Sequence, residues 1–304
     1  MTPIQKSIPP RAWVELLLLS LIWGGSFLSV AVIIREIPVL WAVAWRVGGA
    51  AAVLWAYVLW RGLAPPRGWR AWGAFLGMGL LNNVIPFTLI TWGQQHISTG
   101  LAGILNALTA VLGVLVAALL LADERLTTRK GVGVLLGFAG AATVIGPAAL
   151  GQLNPASLGQ LALLGSSLSY ALAGVWARRT LAGQTPQVAA AGMLTASTLM
   201  MVPLAWITEG APALPQLGQT WVALAYLSLI ATAGAYLLYY RVLGMAGSGN
   251  LMLVTLMIAP FAVLLGALVL GETLPPRAYG GFALLAAGLI VIDGRLARVI
   301  RNRV

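Results

Sequence analysis

The chain has no cysteine and a single histidine, His96. Disulfides and thiolate sites are therefore excluded. A Cys/His metal cluster or a His-based catalytic triad is nearly so. Acidic residues are almost as scarce. There are seven in 304 residues: Glu15, Glu36, Asp123, Glu124, Glu209, Glu272 and Asp293. Six fall in turns or at the ends of apolar runs, and Glu15 lies close to the end of one. An integral membrane enzyme, which needs clustered His, Asp or Glu, has little to work with here, and no catalytic residue, metal site or cofactor is expected. No Gly-x-x-x-x-Gly-Lys-Ser/Thr occurs, which argues against an ATP-driven pump. Charged residues of both signs make up 8% of the chain and apolar residues 60%. No soluble domain of this size sustains that balance.

Long apolar runs take the place of charge. Ten are read, at approximately 12–34, 38–60, 70–92, 99–122, 130–149, 157–178, 186–208, 217–240, 248–270 and 278–294. Each is near the ~20 residues that cross ~30 Å of hydrocarbon as a helix. Turn signals separate them: Pro38, Pro65-Pro66, Asn154-Pro155, Pro186, Pro212, Pro215 and Pro275-Pro276. The first run lacks a small-residue cleavage site and is read as a retained helix. The net charge of +11 could suggest nucleic acid, but the basic residues sit in the short turns, where membrane topology explains them better. Lys6, Arg11, Arg61, Arg67, Arg70, Arg125, Arg129, Lys130, Arg178, Arg179, Arg241, Arg295, Arg298, Arg301 and Arg303 share one side, and only Arg35 and Arg277 the other. Such bias predicts that both termini are cytoplasmic.

The chain also repeats itself. A shift of 148 residues carries Glu124 onto Glu272, Leu126 onto Leu274, Arg129 onto Arg277 and Gly133 onto Gly281. The same shift carries Leu136 onto Leu284, Ala139 onto Ala287, Gly140 onto Gly288 and Pro38 onto Pro186. At 147, Leu16, Leu17, Ser20 and Leu21 match Leu163, Leu164, Ser167 and Leu168, with Trp23 opposite Tyr170. Two five-span halves follow, residues 1–150 and 151–304. Five is odd, so the second half enters the membrane inverted. The expected fold is an all-α integral membrane protein of ten transmembrane helices in two inverted repeats, an arrangement found mainly in transporters.

Trp23-Gly24-Gly25-Ser26 in the first span, Arg46 in the second, and an apolar run ending in Gly271-Glu272-Thr273-Leu274 resemble the drug/metabolite transporter superfamily, EamA type. The resemblance covers nearly the whole chain, and the order and repetition of these short motifs make it specific. It implies a bacterial inner-membrane protein that exports amino acids or related metabolites by alternating access. Two departures stand out. Asp123-Glu124 replaces a Gly-Glu pair in the first half, and Leu112 stands where the second half has Pro260, so the halves need not flex equally.

Several residues could carry function. Arg46 lies about eight residues, ~12 Å of helix, inside its span. A cation at that depth must face protein or water. It either braces helices by hydrogen bonds or captures a substrate carboxylate. Asn82 and Asn83 precede Pro86 in the middle of the third span. Pro86 cannot donate a backbone bond, so a kinked polar centre is expected, serving helix contact or substrate contact. Pro260 is read as the equivalent hinge in the ninth span. Asn106 and Thr109, with Asn250 and Thr255, add polar groups on the repeat-related helices. Trp23 and Tyr170 are mid-span aromatic candidates for a cavity wall. Trp92, Trp176, Tyr236 and Tyr240 are further candidates, of which Trp92, Trp176 and Tyr240 also fit an interfacial belt. Trp13, Trp41, Trp60, Trp69, Trp72, Trp206 and Trp221 are read as belt residues, and His96 as interfacial. Glu15 is read as solvated or paired with a basic neighbour, with a proton site as the alternative. Glu124 and Glu272 are read as capping the next helix or pairing with Arg129 and Arg277. Gly73-xxx-Gly77 and Gly133-xxx-Gly137 allow close helix packing, internal before intermolecular, so a monomer is expected. The partners implied are a small-molecule substrate and the lipid bilayer. The alternative is a carrier for another small solute, a drug, a nucleotide-sugar or a triose-phosphate; phosphorylated cargo would want several interior cations, and Arg46 is the only one.

Overall fold

Proline and glycine set the ends of the helices. Pro10 and Pro186 stand in the first turn of their helices, where a missing N–H costs nothing. Gly210 and Gly247 close two others with φ of 80° and 81°, in the left-handed region open to glycine. The computed structural model describes residues 8–65, 68–97, 99–154, 157–212, 214–270 and 275–293. In it the chain forms α1 (Pro10–Ile33), α2 (Val39–Trp60), α3 (Trp69–Gly93), α4 (Thr99–Leu120) and α5 (Thr128–Ile145). A short turn of helix, Pro147–Leu150, leads to the second half. That half comprises α6 (Leu158–Thr180), α7 (Pro186–Glu209), α8 (Gly218–Ala246), α9 (Ser248–Leu251 then Val254–Leu270) and α10 (Pro276–Asp293). The motif at 271–274 lies outside the described residues.

Among the described residues, nine of these helices are long and apolar enough to cross a membrane. The other, α5, opens on Arg129-Lys130 and packs along α10. Outward-facing Leu119, Leu135, Ile207 and Val222 are exposed, as suits a surface solvated by lipid rather than water. The expected spans hold with small shifts in their ends. The largest is in α8, which runs six residues past the expected 240 to Ala246, passing through Gly244 and ending where Gly247 takes a left-handed φ of 81°. Arg241 therefore sits on a helix and not in a turn.

The helix contacts obey a two-fold rule. α5 packs on α10, and α2 on α7. Several further contacts come in matched pairs: α4 on α6 with α9 on α1, α3 on α6 with α8 on α1, and α3 on α7 with α8 on α2. Exchanging α1–α5 for α6–α10 maps each of these onto another. Small residues make the closest crossing possible. A Cβ at Gly140 would stand 2.8 Å from the Gly281 carbonyl oxygen, and one at Gly288 would stand 2.6 Å from that of Gly133. Gly133 and Gly140 correspond to Gly281 and Gly288 in the repeat, so the two contacts are images of each other. Buried alanines do the same for α2 and α7: Ala42, Ala44, Ala50 and Ala51 on one, and Ala189, Ala190, Ala191 and Ala196 on the other.

Both third helices of the repeats widen into π-helix, α3 over Leu80–Val84 and α8 over Tyr226–Gly234. In α3 the cause is Pro86, which has no N–H for the Asn82 carbonyl, and the ladder loosens just before it. No proline marks the break in α8. Pro260 lies inside an uninterrupted stretch of α9, whose discontinuity falls earlier, at Met252–Leu253. The repeat-related irregularities thus join α3 to α8, and not α3 to α9 as the prolines suggest. Trp41, read as a belt residue, is 5% exposed. It packs on Trp45 and Trp206 and donates its indole N–H to the Gly210 carbonyl (3.1 Å).

Candidate functional site

The two halves enclose a narrow cavity of about 70 Å³, inside about 640 Å³ of atom-free space that includes its open mouth. α1 reaches into its centre because Gly24 and Gly25 have no side chains. A Cβ at Gly24 would stand 3.1 Å from the Ala262 nitrogen of α9, and one at Gly25 would stand 2.6 Å from the Tyr226 hydroxyl of α8. Tyr226 donates to the Ile22 carbonyl at the same place. Trp23 then points inward, donates its indole N–H to the Ala231 carbonyl in the π-helical stretch (2.8 Å), and meets Tyr236 edge-on and Tyr239 at a tilt. Trp23, Gly24 and Gly25 of the motif are thereby explained by one inward tryptophan and two close approaches, while Ser26 lines the cavity with its hydroxyl unpartnered.

Of the ten residues read as cavity candidates, six line the cavity together, Trp23, Arg46, Asn82, Asn106, Tyr170 and Tyr236, and the polar Thr109 and Thr255 of the repeat-related helices join them. The other four candidates do not. Asn83 lies behind Asn82, bonded to Ser197 and Tyr236. Trp176 fills the notch over Gly77 and donates to the Ala74 carbonyl (2.9 Å). Trp92 stacks on His96 at 4.2 Å between ring centroids, and Tyr240 packs on Tyr239 with its hydroxyl at Met193 Sδ. Phe87 and Gln94, which no motif or pattern marks, line the cavity as well.

Arg46 is 8% exposed. Its Nε donates to Thr232 Oγ1 (2.8 Å), and its guanidinium carbon stands 3.6 Å from the centre of the Phe87 ring, a cation–π stack. Among the described residues no carboxylate pairs with it, and no acidic residue lines the cavity. Since arginine keeps its proton in proteins, the cavity holds one fixed positive charge with no counter-charge of its own.

The cavity leads toward the ends of α1 and α3, past Phe27, Val30, Ile90 and Gln94. That is the face whose turns carry few basic residues. The other face is fastened. All four ion pairs among the described residues lie there. Glu15 pairs with Arg11 (3.2 Å) and with Arg241 of α8 (2.5 Å), as the sequence reading of a paired Glu15 expects. Arg178 at the end of α6 pairs with both Asp123 and Glu124. Glu124 also accepts from the N–H groups of Ser248 (2.9 Å) and Gly249 (2.8 Å) and from the Ser248 hydroxyl (2.8 Å). It therefore caps the start of α9 across the repeat, where the helix dipole favours an anion. It does not cap α5. Thr127 does that, accepting from the Lys130 N–H (3.2 Å). Glu272 is outside the described residues.

Inverted halves around a cavity fastened on one face are the arrangement of a membrane transporter. Residues 12–146 and 157–293 each match the model of the EamA-like transporter family. The chain belongs to that family. It is 25% identical over 298 residues to the uncharacterized transporter YvbV of Bacillus subtilis (strain 168), covering 95% of this chain and 94% of that one. It is 26% identical over 207 residues to the probable terminal-alkyne amino-acid exporter of Streptantibioticus cattleyicolor, covering 68% of each. A protein of known crystal structure shares the fold, with TM-score 0.74 at 21% identity over 93% of this chain and 97% of that one.

Proposed function

We propose that this transporter exports amino acids, above all those with apolar or aromatic side chains, by alternating access across a bacterial inner membrane with both termini in the cytoplasm. The halves 1–150 and 151–304 are the units that move. The observation that carries the reading is the uncompensated guanidinium of Arg46 in a cavity walled by Trp23, Tyr170, Tyr236 and Tyr239. A carboxylate answers the charge, and an apolar side chain answers the rings. A carrier of phosphorylated solutes would set several cations against its cargo, and here Arg46 stands alone. The glycine faces of α5 and α10 are spent on each other, which supports a monomer.

The test is uptake into proteoliposomes of a panel holding phenylalanine, leucine, lysine and a sugar phosphate. Phenylalanine and leucine are expected to move down their own gradients, with or without an imposed proton or sodium gradient, because the cavity wall offers no carboxylate to bind a coupling ion. Transport of the sugar phosphate in preference to both overturns the reading. Accumulation driven by either ion overturns its energetic part.

A further inference from the structure

Three polar groups of the cavity wall are held in one direction by hydrogen bonds that begin outside it, whereas the Ser26 and Tyr239 hydroxyls are left without a protein partner. The clearest begins at backbone carbonyls, which can only accept. Ser197 Oγ gives its proton to the Met193 carbonyl (2.9 Å), with the Gly79 carbonyl beyond at 3.4 Å. Its oxygen then accepts from Asn83 Nδ2 (2.8 Å). Asn83 Oδ1 accepts from the Tyr236 hydroxyl, and the Tyr236 oxygen accepts from Asn82 Nδ2 (3.0 Å). The chain ends at Asn82, whose Oδ1 has no partner in the protein and which lines the cavity. Turning the Asn82 amide over would set two acceptors 3.0 Å apart, since the only proton of Tyr236 is already given to Asn83.

Two other chains run the same way. Gln94 gives Nε2 to the Phe27 carbonyl (3.2 Å), and its Oε1 is left without a partner. Thr109 gives its proton to Ser167 (2.9 Å), which gives its own to the Leu105 carbonyl (3.2 Å), so the Thr109 oxygen can only accept. Asn82, Gln94 and Thr109 all line the cavity. Three chains anchored on carbonyls therefore deliver three acceptor oxygens to a wall whose one fixed charge is a cation.

We infer that the cavity binds the ammonium group of a zwitterion on neutral oxygens of fixed polarity, Asn82 Oδ1 first, while Arg46 takes the anionic end. The ammonium needs no carboxylate partner. Ser197, Asn83 and Tyr236 are positioning residues, which act by denying Asn82 the other orientation of its amide. This rests on the cavity being the substrate site.

The experiment uses the full-length protein in detergent, phenylalanine, and 3-phenylpropionate, the same molecule without its amino group. The wild type is expected to bind phenylalanine about tenfold more tightly, the worth of one hydrogen bond to a charged group. Tyr236→Phe and Ser197→Ala are expected to reduce that preference to about twofold or less by weakening phenylalanine, with 3-phenylpropionate little changed. Arg46→Gln is expected to weaken both ligands alike. Adding Asn82→Asp to Tyr236→Phe supplies an acceptor that no rotation can turn into a donor, and the preference is expected to return. Equal weakening of both ligands by Tyr236→Phe and Ser197→Ala, or an unchanged preference, overturns the inference and leaves the cavity assignment standing. Binding of neither ligand by the wild type overturns the assignment, and the inference with it.

Discussion

Arg46→Gln is expected to reduce transport of a carboxylate-bearing substrate about 10- to 150-fold, with the yield of folded protein close to that of the wild type. The magnitude is that of hydrogen bonds to a charged group, about 1.5–3 kcal/mol. The unchanged yield follows from the surroundings of the side chain. Burying a cation without a counter-charge is unfavourable, and the variant relieves that while losing one bond to Thr232 and one stack on Phe87. Arg46→Lys keeps the charge but not the planar fork, and is expected to lose about tenfold. Parallel measurement of uptake and of monodisperse yield separates the two readings of this residue. If Arg46 were a brace between α2 and α8, yield and transport would fall together.

Gly140→Leu is expected to abolish folding, and Gly140→Ala to lower stability by about 1–3 kcal/mol, the usual range for overpacking. An added Cβ would stand 2.5 Å from the Leu285 nitrogen and 2.8 Å from the Gly281 oxygen. Both are backbone atoms, so no rotamer change relieves the contact. The image site behaves likewise: at Gly288 the Cβ would stand 2.6 Å from both the Gly133 oxygen and the Gly137 nitrogen. Gly131 lies on the same helix with nothing within 4 Å of an added Cβ, and Gly131→Ala is the control that should leave stability unchanged or raise it by up to about 1 kcal/mol. Thermal unfolding of the detergent-solubilised protein measures all three. Equal tolerance at Gly131, Gly140 and Gly288 would mean that α5 and α10 do not cross at their glycines.

Most of the fold is legible in the sequence because apolar runs of bilayer length admit few alternatives, and because the repeat supplies the symmetry. Gly133 and Gly281 match by position alone. That they lie at one crossing, Gly281 against Gly140 and Gly133 against its image Gly288, takes three dimensions. The site is legible to the extent that depth reveals it. Mid-span polar and aromatic residues were candidates, and Trp23, Arg46, Asn82 and Tyr170 do meet at the cavity. Depth does not fix facing, because successive residues on a helix turn through about 100°. Asn82 and Asn83 are neighbours in sequence, yet one lines the cavity and the other stands behind it. Phe87 and Gln94 were missed because a phenylalanine and a glutamine in an apolar helix carry no pattern. The partners of Glu124 were missed because Arg178 and Ser248 are 54 and 124 residues away, while local capping is the nearer expectation. The π-helical break in α8 has no sequence mark at all, and only the proline in its repeat partner hints at it.

The most direct test of the cavity as the substrate path uses the chain's lack of cysteine. Ile90→Cys places one thiol on the cavity wall, a turn before Gln94, and removes none of the polar groups argued to bind the substrate. A membrane-impermeant thiol reagent is expected to label it from the face with few basic turns, and phenylalanine is expected to slow that labelling in proportion to its occupancy of the site. Labelling that proceeds at the same rate with saturating phenylalanine, or that occurs only from the face where Glu124 and Arg178 pair, would contradict the account.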